Sequence, residues 1–166
     1  MPLVTFAALP DASRVWVFGS ATPLEPAAER ALLDAVDLFL SRWAAHGTPL
    51  TNSREWRDHR FLAVAVDTTQ AHASGCSIDG LFRELRRIDA EHGSAFIGGG
   101  RVFYRDAAGA IQAADRGDLD ELAERGAITR ASIVFDTTVA TVADWRDRFE
   151  TAAAHSWHGA LLPATA

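Results

Sequence analysis

The sequence predicts an α+β fold: a ferredoxin-like βαββαβ core over residues 1–106, with a C-terminal hairpin–helix–strand–helix extension over 107–166 packed on it in a single domain. Two observations carry this expectation. The hydrophobic periodicities run strand, helix, strand, strand, helix, strand, the order of the split βαβ motif. The strands also differ in polarity in the way that topology requires. "RVWVF" (14–18) and "FLAVAV" (61–66) are near-continuously apolar, as central strands covered on both faces are, whereas "LTNSREWR" (50–57) is polar, as an edge strand is. Covering the sheet's second face then falls to the C-terminal third.

The first strand, 13–19, is rich in β-branched and aromatic residues. A helix is expected over 25–46, with Leu32, Val36, Phe39 or Leu40, and Trp43 at helical spacing. Thr22, Pro23 and Glu25 open it as a capping box, unless Pro26 moves its first turn later, and His46-Gly47 close it. Strands at 50–57 and 60–67 follow, then a small-residue linker at 68–77. A second helix over 78–92 carries Ile78, Leu81, Phe82, Leu85 and Ile88 on one face and ends at His92-Gly93. Beyond the strand at 101–105 come a hairpin partner at 110–113, a short helix at 119–125, a strand at 132–136 and a helix at 142–153 opened by Thr141 and Asp144. No internal repeat stands out.

Composition narrows the function. A chain of 166 residues buries roughly 70% of its unfolded surface on folding, so it needs no metal or disulfide. Its one cysteine fits a reducing compartment, and the location expected is cytoplasmic. The N-terminus has no basic segment ahead of its apolar stretch, and no apolar run approaches about 18 residues, so neither a signal peptide nor a membrane span is expected. A net charge of −6 is unsuited to nucleic acid. All 16 basic residues are arginine, which excludes a lysine Schiff base, a lysine general base and a GxxxxGK[ST] phosphate loop. Gly98-Gly99-Gly100 therefore read as a turn before a strand.

The expected topology gathers a site. Antiparallel neighbours set Asp67 beside Arg14 and hang the 68–77 linker from the same sheet edge, together with His46, Asn52 and Tyr104. Cys76 is the centre of interest. With Ser77 as N-cap, the thiol lies beside the free N–H groups and positive end of a helix, which lowers a thiol pKa. Gly75 allows a sharp junction, and His72 is four residues upstream, near enough for a base. Cys76 and His72 are thus the candidate catalytic pair, and Arg14, Ser74, Gly75, Ser77, Asp79 and Asp67 the candidate ligand-binding residues. Against chemistry stand the usual behaviour of free cysteine as a small hydrophobe and the carboxylate of Asp79, placed in the first turn, which opposes a thiolate.

The other histidines carry less. His46 and His92 read as helix-end residues and His59 as surface. His155 and His158 are a weak metal pair, and no metal or cofactor is expected. Of the five tryptophans, Trp56 and Trp157 are the two open to a ligand pocket or a homodimer contact, with rim packing as the plainer reading.

"SRVW" (13–16), "W..HG..L" (43–50), "RF.....VD" (60–67), "ASGCSID" (73–79), "VF" (134–135) and "SWH" (156–158) resemble, in order along the chain, a family of bacterial proteins about 160 residues long. Members are often labelled "ABC transporter ATPase". The missing phosphate-loop lysine contradicts that label here, and the resemblance implies only a self-contained cytoplasmic bacterial protein. The function expected is binding of a small anionic ligand or partner at the 72–79 junction. The alternatives are a thiol-dependent hydrolase or transferase with Cys76 as nucleophile, and a non-catalytic structural protein that associates with itself.

Overall fold

A computed structural model describes residues 4–69, 73–93, 96 and 98–163. Strand β1 (Arg14–Gly19) leads into helix α1 (Pro26–Leu40), a small hairpin of β2 (Ala44–Ala45) and β3 (Thr48–Pro49), and a larger hairpin of β4 (Asn52–Arg57) and β5 (Phe61–Val66). Helix α2 (Gly75–His92) and strands β6 (Arg101–Arg105) and β7 (Ile111–Asp115) follow. Helix α3 (Leu119–Glu124), strand β8 (Ile133–Phe135), helix α4 (Val142–Asp147) and strand β9 (Glu150–Ala152) complete the regular elements. The class is α+β.

The strands form two main antiparallel sheets, ordered β1-β5-β4 and β7-β6-β8-β9. The first reproduces the expected relation of the first three long strands, with "FLAVAV" central. The expected fourth strand, 101–105, does not join β1. Phe103 on one of its faces and Val102 and Tyr104 on the other are all buried. Beside β1, β6 would still keep its hairpin partner β7 and so have two ladder partners in either place, but between β7 and β8 both its faces are covered.

Period-two alternation assigns side chains to three cores. Trp16, Phe18, Leu62, Val64 and Val66 face α1 and α2. Val15, Phe61, Ala63 and Ala65 face Phe103 and Phe135 of the second sheet, with Val142, Trp145 and Phe149 closing the same core. Val102, Tyr104 and Val134 face α3 and the C-terminal tail. The order is helices, sheet, sheet, then α3 and tail, so all six residues of β5 are buried. The C-terminal third does cover the second face of the first sheet.

Phe61 is the hub between the sheets. Its ring lies 5.0 Å from Phe103, 5.0 Å from Phe135 and 5.1 Å from Phe149. At the rim, Arg57 of β4 and Arg105 of β6 converge on the carboxylate of Glu150 in β9, tying the two sheets by charge.

Three boundaries differ from expectation for local reasons. Helix α1 starts at Pro26 with no side-chain cap and stops at Leu40 rather than His46. His46 and Gly47 are the two left-handed residues (φ 50° and 81°) of the β2–β3 turn, the geometry of a tight hairpin. Trp43 is instead turned into the core. Helix α4 ends at Asp147, because Phe149 enters the aromatic core and its carbonyl accepts from the Asp136 N–H, so 150–152 pair with β8 as a strand. Helix α2 ends as expected, with Gly93 left-handed (φ 60°) as its cap.

Phe61→Ala removes the ring on which three others pack. It is expected to lower the unfolding free energy by about 3–5 kcal/mol, with Phe61→Leu losing less, as read from urea titrations with unchanged slope. A loss below about 1 kcal/mol would deny Phe61 its central place.

Candidate functional site

The loop–helix junction is built differently from the sequence expectation. Ser74, not Ser77, is the N-cap of α2: its backbone is extended and its Oγ accepts from the Ser77 N–H at 3.3 Å. Ser77 is buried inside the first turn, where its Oγ donates to the Ser74 carbonyl (2.8 Å) and its own carbonyl accepts from the Trp43 indole N–H (2.9 Å). Both serines therefore hold the junction against the core. Cys76 is a first-turn residue, exposed, and its sulfur has no hydrogen-bond partner among the described residues. Asp79 lies in the second turn, exposed and outside the first-turn dipole region. Gly75 has an ordinary backbone angle, and an added Cβ there would meet nothing within 4 Å, so the junction does not need a glycine. His72 lies outside the described residues.

Asp67 is also structural. It is buried, and one carboxylate oxygen accepts from the backbone N–H (2.8 Å) and hydroxyl (2.6 Å) of Thr69, not from Arg14. The same arrangement recurs at the end of β8, where Asp136 accepts from the N–H (2.9 Å) and hydroxyl (2.6 Å) of Thr138. The identical tripeptide Asp-Thr-Thr at 67–69 and 136–138, each after an apolar strand, was the sequence signal for this repeated turn. Asn52, also buried, clamps the end of α1 by donating to the carbonyls of Leu40 (3.1 Å) and Leu50 (2.8 Å). Tyr104 is buried in the outermost core.

Of the proposed cluster, Arg14 and the start of α2 do share one end of the first sheet. The Arg14 guanidinium lies 4.8 Å from the Trp16 ring, Trp16 packs on Trp43, and Trp43 bonds to Ser77. Arg14 is exposed and forms no ion pair among the described residues.

From Arg14 a slot runs along the outer edge of β1, in the place the fourth ferredoxin-like strand would take. Among the described residues only the start of that edge is covered: the Val15 N–H donates to the Ala140 carbonyl and the Val142 N–H to the Ser13 carbonyl, both at 2.9 Å, and Arg14 bridges to Thr141. Strand alternation turns the Val17 N–H and C=O and the Gly19 N–H outward as well, and the described residues offer them no backbone partner. Two adjoining cavities of about 240 Å³ each occupy the space and share Val17, Phe18, Phe82 and Thr137. Phe82 of α2 roofs the slot, packed on Trp16 and Phe18 at 6.4 and 5.7 Å; Phe103 and Arg101 line it from the second sheet, with Gly98–Gly100 and Thr137–Ala140 at its rims. Among the described residues the lining contains two arginines and no Asp or Glu. Cys76 is absent from it: six residues before Phe82, it sits about 120° round the helix from that ring.

The tail segment "SWH" folds back onto the second Asp-Thr-Thr turn. The Trp157 indole N–H donates to Asp136 (3.1 Å), Trp157 stacks on His158 at 3.9 Å, and His158 Nδ1 is 2.8 Å from Ser156 Oγ. His158 is buried at 1% exposure, and burial pushes its pKa down to about 4, with Arg116 adding to the fall and Asp136 opposing it. The tail packs on the outer face of the second sheet, with both sheets between it and α2, so His158 is no partner for Cys76. Trp56 packs on Phe96 at 5.5 Å. Both Trp56 and Trp157 are rim packing. Among the described residues no three His, Cys, Asp or Glu side chains gather as a metal site, and no helix is long and apolar enough to cross a membrane.

Comparison with protein-family models, with curated proteins and with solved structures finds no match to this chain.

Two outcomes are expected from these contacts. Gly75→Ala should leave stability unchanged or raise it by up to about 1 kcal/mol, whereas Ser74→Ala should lower it by about 1 kcal/mol, both by thermal melt. His158 binds a proton near pH 6.5 when unfolded but only near pH 4 when folded. The unfolded state thus holds more protons between these values, and stability is lost as pH falls through that window. Urea titrations should show about 2 kcal/mol of loss between pH 7 and pH 5, a slope that His158→Asn removes.

Proposed function

We propose that the protein is a non-catalytic binding module whose site is the slot along the outer edge of β1, and that its ligand is anionic. The observation that carries this reading is the slot itself. Among the described residues, a sheet edge left unpaired beside two adjoining cavities, roofed by aromatic rings, with Arg14 at its mouth and no carboxylate in the lining, suits a ligand with an apolar body and negative charge. The contrast with the chain as a whole, which has 22 acidic residues against 16 basic, gives the lining its weight. This keeps the anionic ligand expected from sequence and moves its seat from the 72–79 junction to the neighbouring edge. Among the described residues Cys76, exposed and turned away from the slot, has no partner group, and its candidate base His72 lies outside them. Membership of the small bacterial family that the sequence resembles, and a reducing, cytoplasmic setting, belong to the same proposal and add no activity to it.

The test is an amide-shift NMR screen of anionic fragments: benzoate, phenyl phosphate and N-acetylglutamate. Saturable shifts are expected at Val17, Gly19, Phe82 and Thr137. Arg14→Gln should weaken binding by about tenfold, the effect of one charge-assisted contact. Carbamidomethylation of Cys76 should leave it unchanged. Shifts confined to residues 73–79, or binding abolished by alkylation, would return the site to the thiol.

A further inference from the structure

We propose that the ligand of the slot is an extended peptide, which enters as a fourth strand of the first sheet and sets an Asp or Glu side chain beside Arg14. This inference rests on the slot being a binding site and adds what occupies it.

The first support is the chemistry of the floor. The outward groups of β1 are backbone groups: the N–H and C=O of Val17 and the N–H of Gly19, unpaired among the described residues. Alternating donors and acceptors at strand spacing are met in full by another extended backbone, the principle of strand addition at a sheet edge. The open stretch from Trp16 to Gly19 is four residues, about 13 Å at the strand rise, a length suited to a short peptide segment.

The second support is shape. The edge is recessed between Phe82 above and Phe103 below, with Thr137 at its rim. One chain fits such a recess, whereas the equally recessed edge of a second copy does not reach into it. The walls also define the occupant. Successive side chains of an added strand would point alternately to Phe82 and to Phe103, so both sets are apolar. The third support is charge: among the described residues Arg14, which stands at the mouth on the Trp16 ring, makes no ion pair, and the lining has no acidic residue. A carboxylate at one end of an otherwise apolar segment complements it.

The test uses a phage-displayed random hexapeptide library panned on the whole protein, with Val17→Pro as counter-target. The β1–β5 ladder uses Trp16 and Phe18, so proline at 17 removes an outward donor and leaves that ladder intact, as proline does on edge strands. Peptides with consecutive apolar residues and a terminal Asp or Glu should enrich on the native protein and not on the variant. For a synthetic winner, N-methylation of the residues facing β1 should weaken binding by about tenfold, while N-methylation of the intervening residues should not, and the Val17 amide should gain hydrogen-exchange protection. If Val17→Pro does not fold, the N-methyl pair on the native protein decides alone. No enrichment, or affinity indifferent to N-methylation, overturns strand addition. So does a dimer in sedimentation that Val17→Pro dissolves, which would assign the edge to a second copy. Anionic fragments that still shift Val17 and Phe82 would leave the slot a binding site without a peptide, and their silence there would remove the site as well.

Discussion

The fold depends on the contact between two sheets, and that contact is centred on Phe61. Its ring touches aromatic rings carried by β6, β8 and the segment after α4. Each of these elements is short or weakly amphipathic on its own. Three-residue β8 and six-residue α4 have little intrinsic stability, and they are ordered because their aromatic residues share one buried site. The arginine pair on Glu150 closes the same interface at its rim, where the charges keep contact with solvent and desolvation stays small.

From that packing the open edge of β1 follows. A four-stranded ferredoxin-like sheet would place 101–105 against β1 and leave one of that strand's two apolar faces in water. Packing a second sheet on the first covers both faces, and in exchange the edge of β1 beyond Val15 stays unpaired among the described residues. The bare edge is short and recessed rather than long and flat, which limits indiscriminate pairing with other chains. Ala140 and Thr141 cover its beginning, and the Asp136–Thr138 turn carries the chain away before it can cover the rest.

The two Asp-Thr-Thr turns show how one local solution serves twice. In each, a buried aspartate at the end of an apolar strand takes donors from the threonine two residues on, fixing how the chain leaves the sheet. The first sends the chain toward the start of α2, the second toward Thr141 and α4. In the second, Trp157 adds a donor to the same carboxylate, so the tail is held to the turn by a polar contact as well as by packing.

Most of the element order was legible in the sequence, because period-two and helical patterns are local: β1, β4, β5, α2 and β6 lie within about three residues of their expected places. The apolar character of "FLAVAV" also announced a strand covered on both faces, and the C-terminal third does cover it. What local pattern could not decide was which strands pair. The 101–105 strand has the same composition beside β1 as it has beside β8, and only the competition for burial on its two faces places it. The early stop of α1 and the strand at 150–152 were hidden for a related reason, since Trp43 and Phe149 leave their helical register to reach cores built by distant residues. For the site, the sequence placed Arg14 and the start of α2 at one end of the sheet, and in the structure they are linked there through Trp16 and Trp43 rather than by direct contact. Serines 74 and 77, Asp67 and Asn52 looked like ligand groups because polar residues near a sheet end read the same whether they meet a ligand or the backbone. The slot itself leaves almost no mark in the sequence, being made of unpaired main-chain groups and of the place where a strand is missing, which exist only once the two sheets have packed.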